Sequence, residues 1–183
     1  MIKKINLLII LVSLFGSLYF VFTKDNSFVL VLKDLSLVFT INLLYIISFI
    51  FKFKINDNIH FIYILFIFLA QFIGVTCEMY NYISWYDTFT HFLSGILTGV
   101  LALIVLNKLK INKNILFNIL FIITFSVFIA VLWEMFEYVS SILFNVDPQK
   151  VLTTGVNDTM KDIIVAFLGS ILVSMYYFFK RNS

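Results

Sequence analysis

Residues 114–137 read NILFNILFIITFSVFIAVLWEMFE, an apolar run from Asn114 to Trp133 without a charge, closed by Glu134 and Glu137. About 20 such residues suffice to cross the hydrocarbon core of a bilayer as a helix. Inside a bilayer every backbone N–H and C=O must be satisfied by the protein itself, which leaves helices and closed barrels as the spanning structures. A barrel needs alternating strands of about ten residues, and this continuous Ile/Leu/Phe run does not alternate. The stretch therefore predicts a membrane-spanning helix with two carboxylates at one end.

The rest of the chain repeats that pattern. Of 183 residues, 62% are hydrophobic and 13% charged, with 23 Phe and a single Pro, more apolar surface than a soluble domain of this length can hide. Six runs are long enough to span, at about 5–22, 35–51, 60–77, 88–107, 114–137 and 161–179. The expectation is an all-α, polytopic transmembrane bundle forming a single membrane domain over residues 1–183. Met1-Ile2-Lys3-Lys4 and the run to Phe22 are read as an uncleaved first helix rather than a signal peptide, because no A-x-A-like site follows. The lone Cys77 excludes an internal disulfide.

Basic residues orient the bundle, since Lys and Arg gather in cytoplasmic loops. With the N-terminus inside, the cytoplasmic segments carry Lys3, Lys4, Lys52, Lys54, Lys108, Lys110, Lys113, Lys180 and Arg181, nine of the thirteen basic residues. Lys24, Lys33, Lys150 and Lys161 fall outside. This predicts an N-in, C-in, multi-pass protein. The net charge of +3 reflects that topology and gives no warrant for a nucleic-acid partner.

Within this apolar chain three ionisable pairs recur at helical spacing: Asp87 with His91, Glu134 with Glu137, and Asp158 with Asp162. Residues three or four apart share a helix face, so each helix offers two ligands side by side. In the N-in topology all three pairs reach a similar level near the outer interface, where Trp85, Tyr86, Trp133 and Tyr138 suit an aromatic belt. Charges within a bilayer are costly, normally face the protein interior, and mark sites or paths. Gly95 and Gly99 form a G-x-x-x-G that allows close helix approach, and Ala166 and Gly169 can do likewise; ordinary helix packing accounts for them, and it also draws the pairs together. Asp158 is equally well read as a helix cap. Glu78 and Asp147 read as solvated outer-loop charges, and Asp25, Lys33, Asp34, Asp57 and His60 as loop or interfacial groups.

Carboxylate oxygens with one imidazole suit a hard or borderline divalent ion such as Mg²⁺, Mn²⁺, Fe²⁺ or Zn²⁺. All six residues of the three pairs are candidate ligands, and Glu134 and Asp162 are the candidate catalytic groups. A bound ion would polarise a phosphoryl or carbonyl oxygen, and a neighbouring carboxylate would serve as general base. Three readings stay open: a metal-dependent hydrolase acting on a lipid head group or lipid-linked precursor, a proton- or cation-coupled transporter, and a non-catalytic protein whose polar cluster holds helices together. The first ranks ahead because the site lies at head-group depth. The cytoplasmic halves of the helices lack ionisable groups, which counts against a transport path.

Tyr86-Asp87-Thr88-Phe89-Thr90-His91-Phe92-Leu93-Ser94-Gly95, Trp133-Glu134-Met135-Phe136-Glu137-Tyr138 and Gly155-Val156-Asn157-Asp158-Thr159-Met160-Lys161-Asp162 with Gly169 resemble, in that order, the YjdF-like bacterial inner-membrane proteins. The resemblance covers roughly residues 80 to 175 and implies a multi-pass protein of the bacterial cytoplasmic membrane carrying this polar constellation. It supplies no reaction. Asp87-x-x-x-His91-Phe92 and the Asp162-to-Gly169 stretch also look, more distantly, like VanZ-type membrane proteins, some linked to glycopeptide-antibiotic resistance. The Glu134-x-x-Glu137 pair departs from that pattern, and resistance is not carried over.

The topology has a direct check. Cysteines introduced between Lys108 and Asn114 are expected to be shielded from an impermeant thiol reagent added to intact cells; ready labelling would invert the bundle.

Overall fold

The computed structural model describes residues 2–23, 28–52, 54–111, 114–144, 147 and 151–182. Lys24, Asp25, Lys113 and Lys150 lie outside the described residues. Every regular element among the described residues is helical: α1 (Ile2–Thr23), α2 (Phe28–Ile50), α3 (Asp57–Ile67) running on as a π-helical segment (Phe68–Thr76), α4 (Met79–Tyr82), α5 (Tyr86–Lys108), α6 (Ile115–Phe144), α7 (Val151–Thr154) and α8 (Asn157–Asn182). Among the described residues, four stretches are long and apolar enough to cross a membrane: Asp57–Thr76, Tyr86–Lys108, Ile115–Phe144 and Asn157–Arg181. The chain divides into two compact units, Met1–Tyr86 and Asp87–Ser183.

In the first unit, Leu37, Ile41 and Leu44 of α2 and Tyr63, Ile64 and Ile67 of α3 form buried stripes at the three- and four-residue spacing of a single helix face. Asn56 caps α3 by accepting a hydrogen bond from the Asn58 N–H at 2.9 Å. Helix α3 thus begins at Asp57, three residues before the apolar run, which puts His60 one turn inside. His60 is accordingly buried, its ring edge-on to that of Tyr45, and not a loop charge; it shares the face of Tyr63, Ile64 and Ile67. Lys33 and Asp34, read as loop or interfacial charges, fall within α2, which starts at Phe28. The π-helical segment is tied to its neighbours, Tyr86 donating to the Leu69 carbonyl at 2.9 Å and Thr40 to Gln71 Oε1 at 2.6 Å, while Tyr63 of α3 donates to the Thr40 carbonyl of α2. Such wide turns free backbone groups that need partners in an apolar setting.

The second unit packs α5, α6 and α8. Asn114 caps α6, accepting from the Phe117 N–H at 2.7 Å. Helix α6 continues seven residues beyond the expected end at Glu137, to Phe144, because Tyr138–Phe144 carries no helix breaker. Its buried positions, Asn118, Ile122, Ser126, Ala130 and Glu134, recur every fourth residue. At the far end of α5, Lys110 is left-handed (φ 53°), Ile111 N–H bonds to the Leu106 carbonyl and Lys110 N–H to that of Asn107. This is a Schellman closure, and Ile111 folds back onto the cluster of Ala102, Leu106, Ile122 and Val173.

The tightest packing joins α5 to α8. A Cβ on Gly95 would stand 2.0 Å from the Ala166 carbonyl oxygen, one on Gly169 2.4 Å from that of Phe92, and one on Gly99 3.1 Å from the Val173 side chain. The third helix is tied in at the same level, with Thr98 and Ser126 hydroxyls 2.6 Å apart and Ser126 donating to the Gly95 carbonyl at 3.1 Å.

Gly95→Ala is expected to destabilise by about 1–3 kcal/mol, as overpacking does, while Gly99→Ala costs less because a valine side chain can give way and a backbone cannot. Thermal unfolding in detergent should rank the two in that order; equal midpoints would refute the helix contact.

Candidate functional site

The α5–α8 contact sets the site one helical turn away. His91 precedes Gly95 by four residues and Asp162 precedes Ala166 by four, and contacts between the two helices advance in the same chain direction, so both side chains emerge on the same side of the contact. His91 Nε2 lies 3.5 Å from Asp87 Oδ1 and 3.8 Å from Asp162 Oδ2. The side chains of Asp87, His91 and Asp162 are 15%, 10% and 5% exposed. One donor atom from each lies within 4.8 Å of the other two, the one such set of three His, Cys, Asp or Glu residues among the described residues.

Those separations can be set against the spans of a hydrogen bond and of a shared cation. Hydrogen bonds from a ring nitrogen to oxygen run about 2.7–3.2 Å, and both pairs are longer. Ligands bonded to one ion at about 2.1 Å in tetrahedral array stand about 3.4 Å apart. The oxygen–nitrogen–oxygen donor set fits a borderline divalent ion. A second observation points the same way: Asp162 Oδ1 is buried without a hydrogen-bond partner.

The other three expected residues surround this trio without joining its donor set. Glu134, 5% exposed, belongs to the buried stripe of α6. Asp158, 8% exposed, sits in the first turn of α8, where a carboxylate is favoured by the helix dipole. Asp87, Asp158, Glu134 and Lys161 are all close enough to Asp162 to act on its charge. Glu137 is half-buried and accepts a hydrogen bond from Trp133 Nε1 at 2.8 Å; Glu134, Asp87 and Asp162 act on it electrostatically. Lys161 is exposed. Asp147, expected to be only solvated, accepts from the Leu152 N–H at 3.1 Å, and Glu78 is half-buried in a left-handed conformation.

Two features were outside the reach of sequence reasoning. One is the hydroxyl pair Thr98–Ser126, whose members belong to stretches that otherwise read as ordinary apolar spans. The other is a groove of about 470 Å³ between α6 and α8, lined by Val131, Glu134, Met135, Tyr138, Val156 and Ile163 among others. Its walls are apolar, and the buried carboxyl of Glu134 belongs to its lining.

Below the site, the polar groups are hydroxyls and amides: Thr98 and Ser126, then Asn118 donating to the Tyr177 hydroxyl at 2.6 Å, which also accepts from Arg181 at 2.8 Å. Ala102, Leu106, Ile122 and Val173 form an apolar layer in this half of the unit.

No curated protein and no solved structure matches this chain. A family match does run over nearly its whole length, residues 5–183, and takes in all three polar pairs. The chain belongs to the family of predicted membrane proteins designated DUF2238.

Proposed function

We propose that this protein is a metal-dependent hydrolase of the bacterial cytoplasmic membrane, acting on a lipid head group or lipid-linked precursor at the outer leaflet. The observation that carries the reading is the convergence of Asp87 Oδ1, His91 Nε2 and Asp162 Oδ2 at spacings longer than hydrogen bonds and suited to a shared cation. In this reading the chain forms one six-span domain with both termini in the cytoplasm, and α1 and α2 supply the two further spans. Its three-motif order resembles that of the YjdF-like proteins and, more distantly, parts of VanZ-type proteins, and we take that resemblance as support for the membrane location.

Asp87, His91 and Asp162 would hold one Mg²⁺, Mn²⁺, Fe²⁺ or Zn²⁺ ion; Asp158 and Glu137 complete the acidic surround. When bound, such an ion supplies Lewis-acid polarisation of a phosphoryl or carbonyl oxygen. Glu134, buried and beside the trio, takes the proton of the attacking water as general base. Asp87, one turn before His91, presents Oδ1 to the same ring nitrogen that faces Asp162, so the two residues of α5 would meet the ion side by side. The apolar layer of Ala102, Leu106, Ile122 and Val173 lies beyond the Thr98–Ser126 pair as counted from the trio. That layer favours a one-sided site over a transport path.

Metal analysis of detergent-purified, tag-free protein is expected to find about one divalent ion per chain, lost in an Asp87→Asn, Asp162→Asn double variant; metal-free wild type that stays so after loading with Mg²⁺, Mn²⁺ or Zn²⁺ would end the reading. Glu134→Gln is expected to keep the metal and lose at least about 100-fold in hydrolysis, the scale of general-base catalysis. Retention of full activity by both Glu134→Gln and Asp162→Asn would remove the site. In metal-free protein Asp162→Asn is expected to leave thermal stability unchanged or raise it, since isolated buried charges are unfavourable; a large loss would instead assign the cluster a purely structural role.

A further inference from the structure

The end of the second unit away from the polar cluster carries the opposite charge. Helices α5 and α8 run in the same direction, with Gly95 on Ala166 and Gly99 on Val173, so Lys108 at the end of α5 comes level with the last turn of α8, which holds Lys180 and Arg181. Lys110 follows in the α5 closure. All four side chains are exposed. No Asp or Glu occurs between residues 88 and 133 or between 163 and 183, so the helix ends gathered here carry cations alone. Because two spans finish at Lys108 and Arg181, these cations lie at the level of lipid phosphates, for either orientation of the chain.

Basic residues at span ends are common in membrane proteins, and alone they would hold any anion loosely. This end differs in that hydrogen bonds fix one guanidinium. Asn118, 3% exposed on α6, donates through Nδ2 to the Tyr177 hydroxyl oxygen at 2.6 Å, and Arg181 Nη1 donates to the same oxygen at 2.8 Å. A phenol oxygen that accepts two bonds still has its own proton to give, and among the described residues nothing accepts it. Asn118 Oδ1 is buried and also unpartnered. Turning the amide over would let the phenol donate to that oxygen and leave the amide N–H groups unspent instead. In either orientation the chain of bonds that ends on Arg181 has one donor too many. A guanidinium fork with a spare donor nearby suits phosphate oxygens, to which charge-assisted bonds are strong.

Lys110 adds charge at the same cap. Ile111 and Tyr177 both pack against the cluster of Ala102, Leu106, Ile122 and Val173, which brings the residue before Ile111 to the end of the unit where Tyr177 holds Arg181. Lys180 is turned away over the Tyr176 ring, 5.6 Å from its centre. The same helix turns expose Leu116, Phe117 and Phe178, surface that acyl chains would cover and a free anion would not.

We propose that Arg181, Tyr177 and Lys110 form a binding site for the phosphate of an anionic phospholipid in the leaflet that this end meets. The site is separate from Asp87, His91 and Asp162 and does not rest on the hydrolase reading.

For the test, wild-type protein in detergent is equilibrated with mixed micelles of equal phosphatidylglycerol and phosphatidylcholine, and retained lipid is counted by native mass spectrometry. Phosphatidylglycerol is expected to be retained about tenfold over phosphatidylcholine, the scale set by two basic residues near an anionic lipid. A Lys110→Gln, Arg181→Gln double variant should bring the ratio close to one. Tyr177→Phe, which keeps the ring and removes the O–H, should lower it about threefold or more. Lys52→Gln with Lys54→Gln, which removes the same charge from the first unit, should leave it unchanged. Equal retention by wild type, an unaltered ratio in the Lys110, Arg181 variant, or an equal loss in the Lys52, Lys54 variant overturns the inference. Ready displacement of phosphatidylglycerol by water-soluble glycerol phosphate also overturns it, by assigning the site to a soluble phosphate.

Discussion

The second unit depends on one contact, the backbone-to-backbone approach of α5 and α8 at Gly95, Ala166 and Gly169. A single methyl group at Gly95 would overlap a carbonyl oxygen, so the two helices are as close as their backbones permit. Because they run in the same direction, residues at equal offsets from the contact come opposite each other. His91 and Asp162 lie one turn from it, about 6 Å along the axis, and Asp87 and Asp158 lie two turns away. The polar cluster therefore needs no loop to assemble it. Small residues at the crossing place it, and in a bilayer, where lipid tails compete with side chains for apolar contact, close approach of small residues is the main force holding helices together.

Helix α6 reads the same geometry from the opposite direction. Ser126 meets Thr98 and the Gly95 carbonyl at the crossing, and Glu134 lies eight residues on, about 12 Å along the helix, at the level of Asp87. The every-fourth-residue stripe from Asn118 to Glu134 is thus a ruler set by one hydroxyl pair. Moving Ser126 off the crossing would shift Glu134 away from the site. A short hydrogen bond deep in the unit in this way fixes a carboxylate two turns from it.

Much of this was legible in the sequence, and the reason is physical. In a bilayer, charge is so costly that six ionisable residues at helical spacing stand out against Phe and Leu, and the G-x-x-x-G on α5 names the helix face that packs. The convergence of Asp87, His91 and Asp162 follows from adding these two signals. What was not legible depends on register between segments. That Glu134 lines a groove while Glu137 bonds Trp133 follows from how α6 is rotated, and the α6 stripe is carried by Asn, Ile, Ser and Ala as well as Glu. His60, read as a loop or interfacial charge, is buried because α3 starts three residues earlier than hydropathy indicates and sets the histidine one turn inside the helix. The length of α6 was hidden likewise: Glu137 looked like an end, but a charge ends an apolar run without ending a helix.

The placement of charge also bears on how the unit is stabilised. Removing carboxylates from water costs more than their mutual arrangement returns unless a cation joins them, so an acid cluster near the end of a bundle is a net load. The apolar layer of Ala102, Leu106, Ile122 and Val173, with Phe121 and Phe125 packed against it, lies at the opposite half and bears that load. The apolar layer thus lies in one half of the unit and the polar cluster in the other. A proton or ion path would need the reverse, a polar seam broken nowhere along its length.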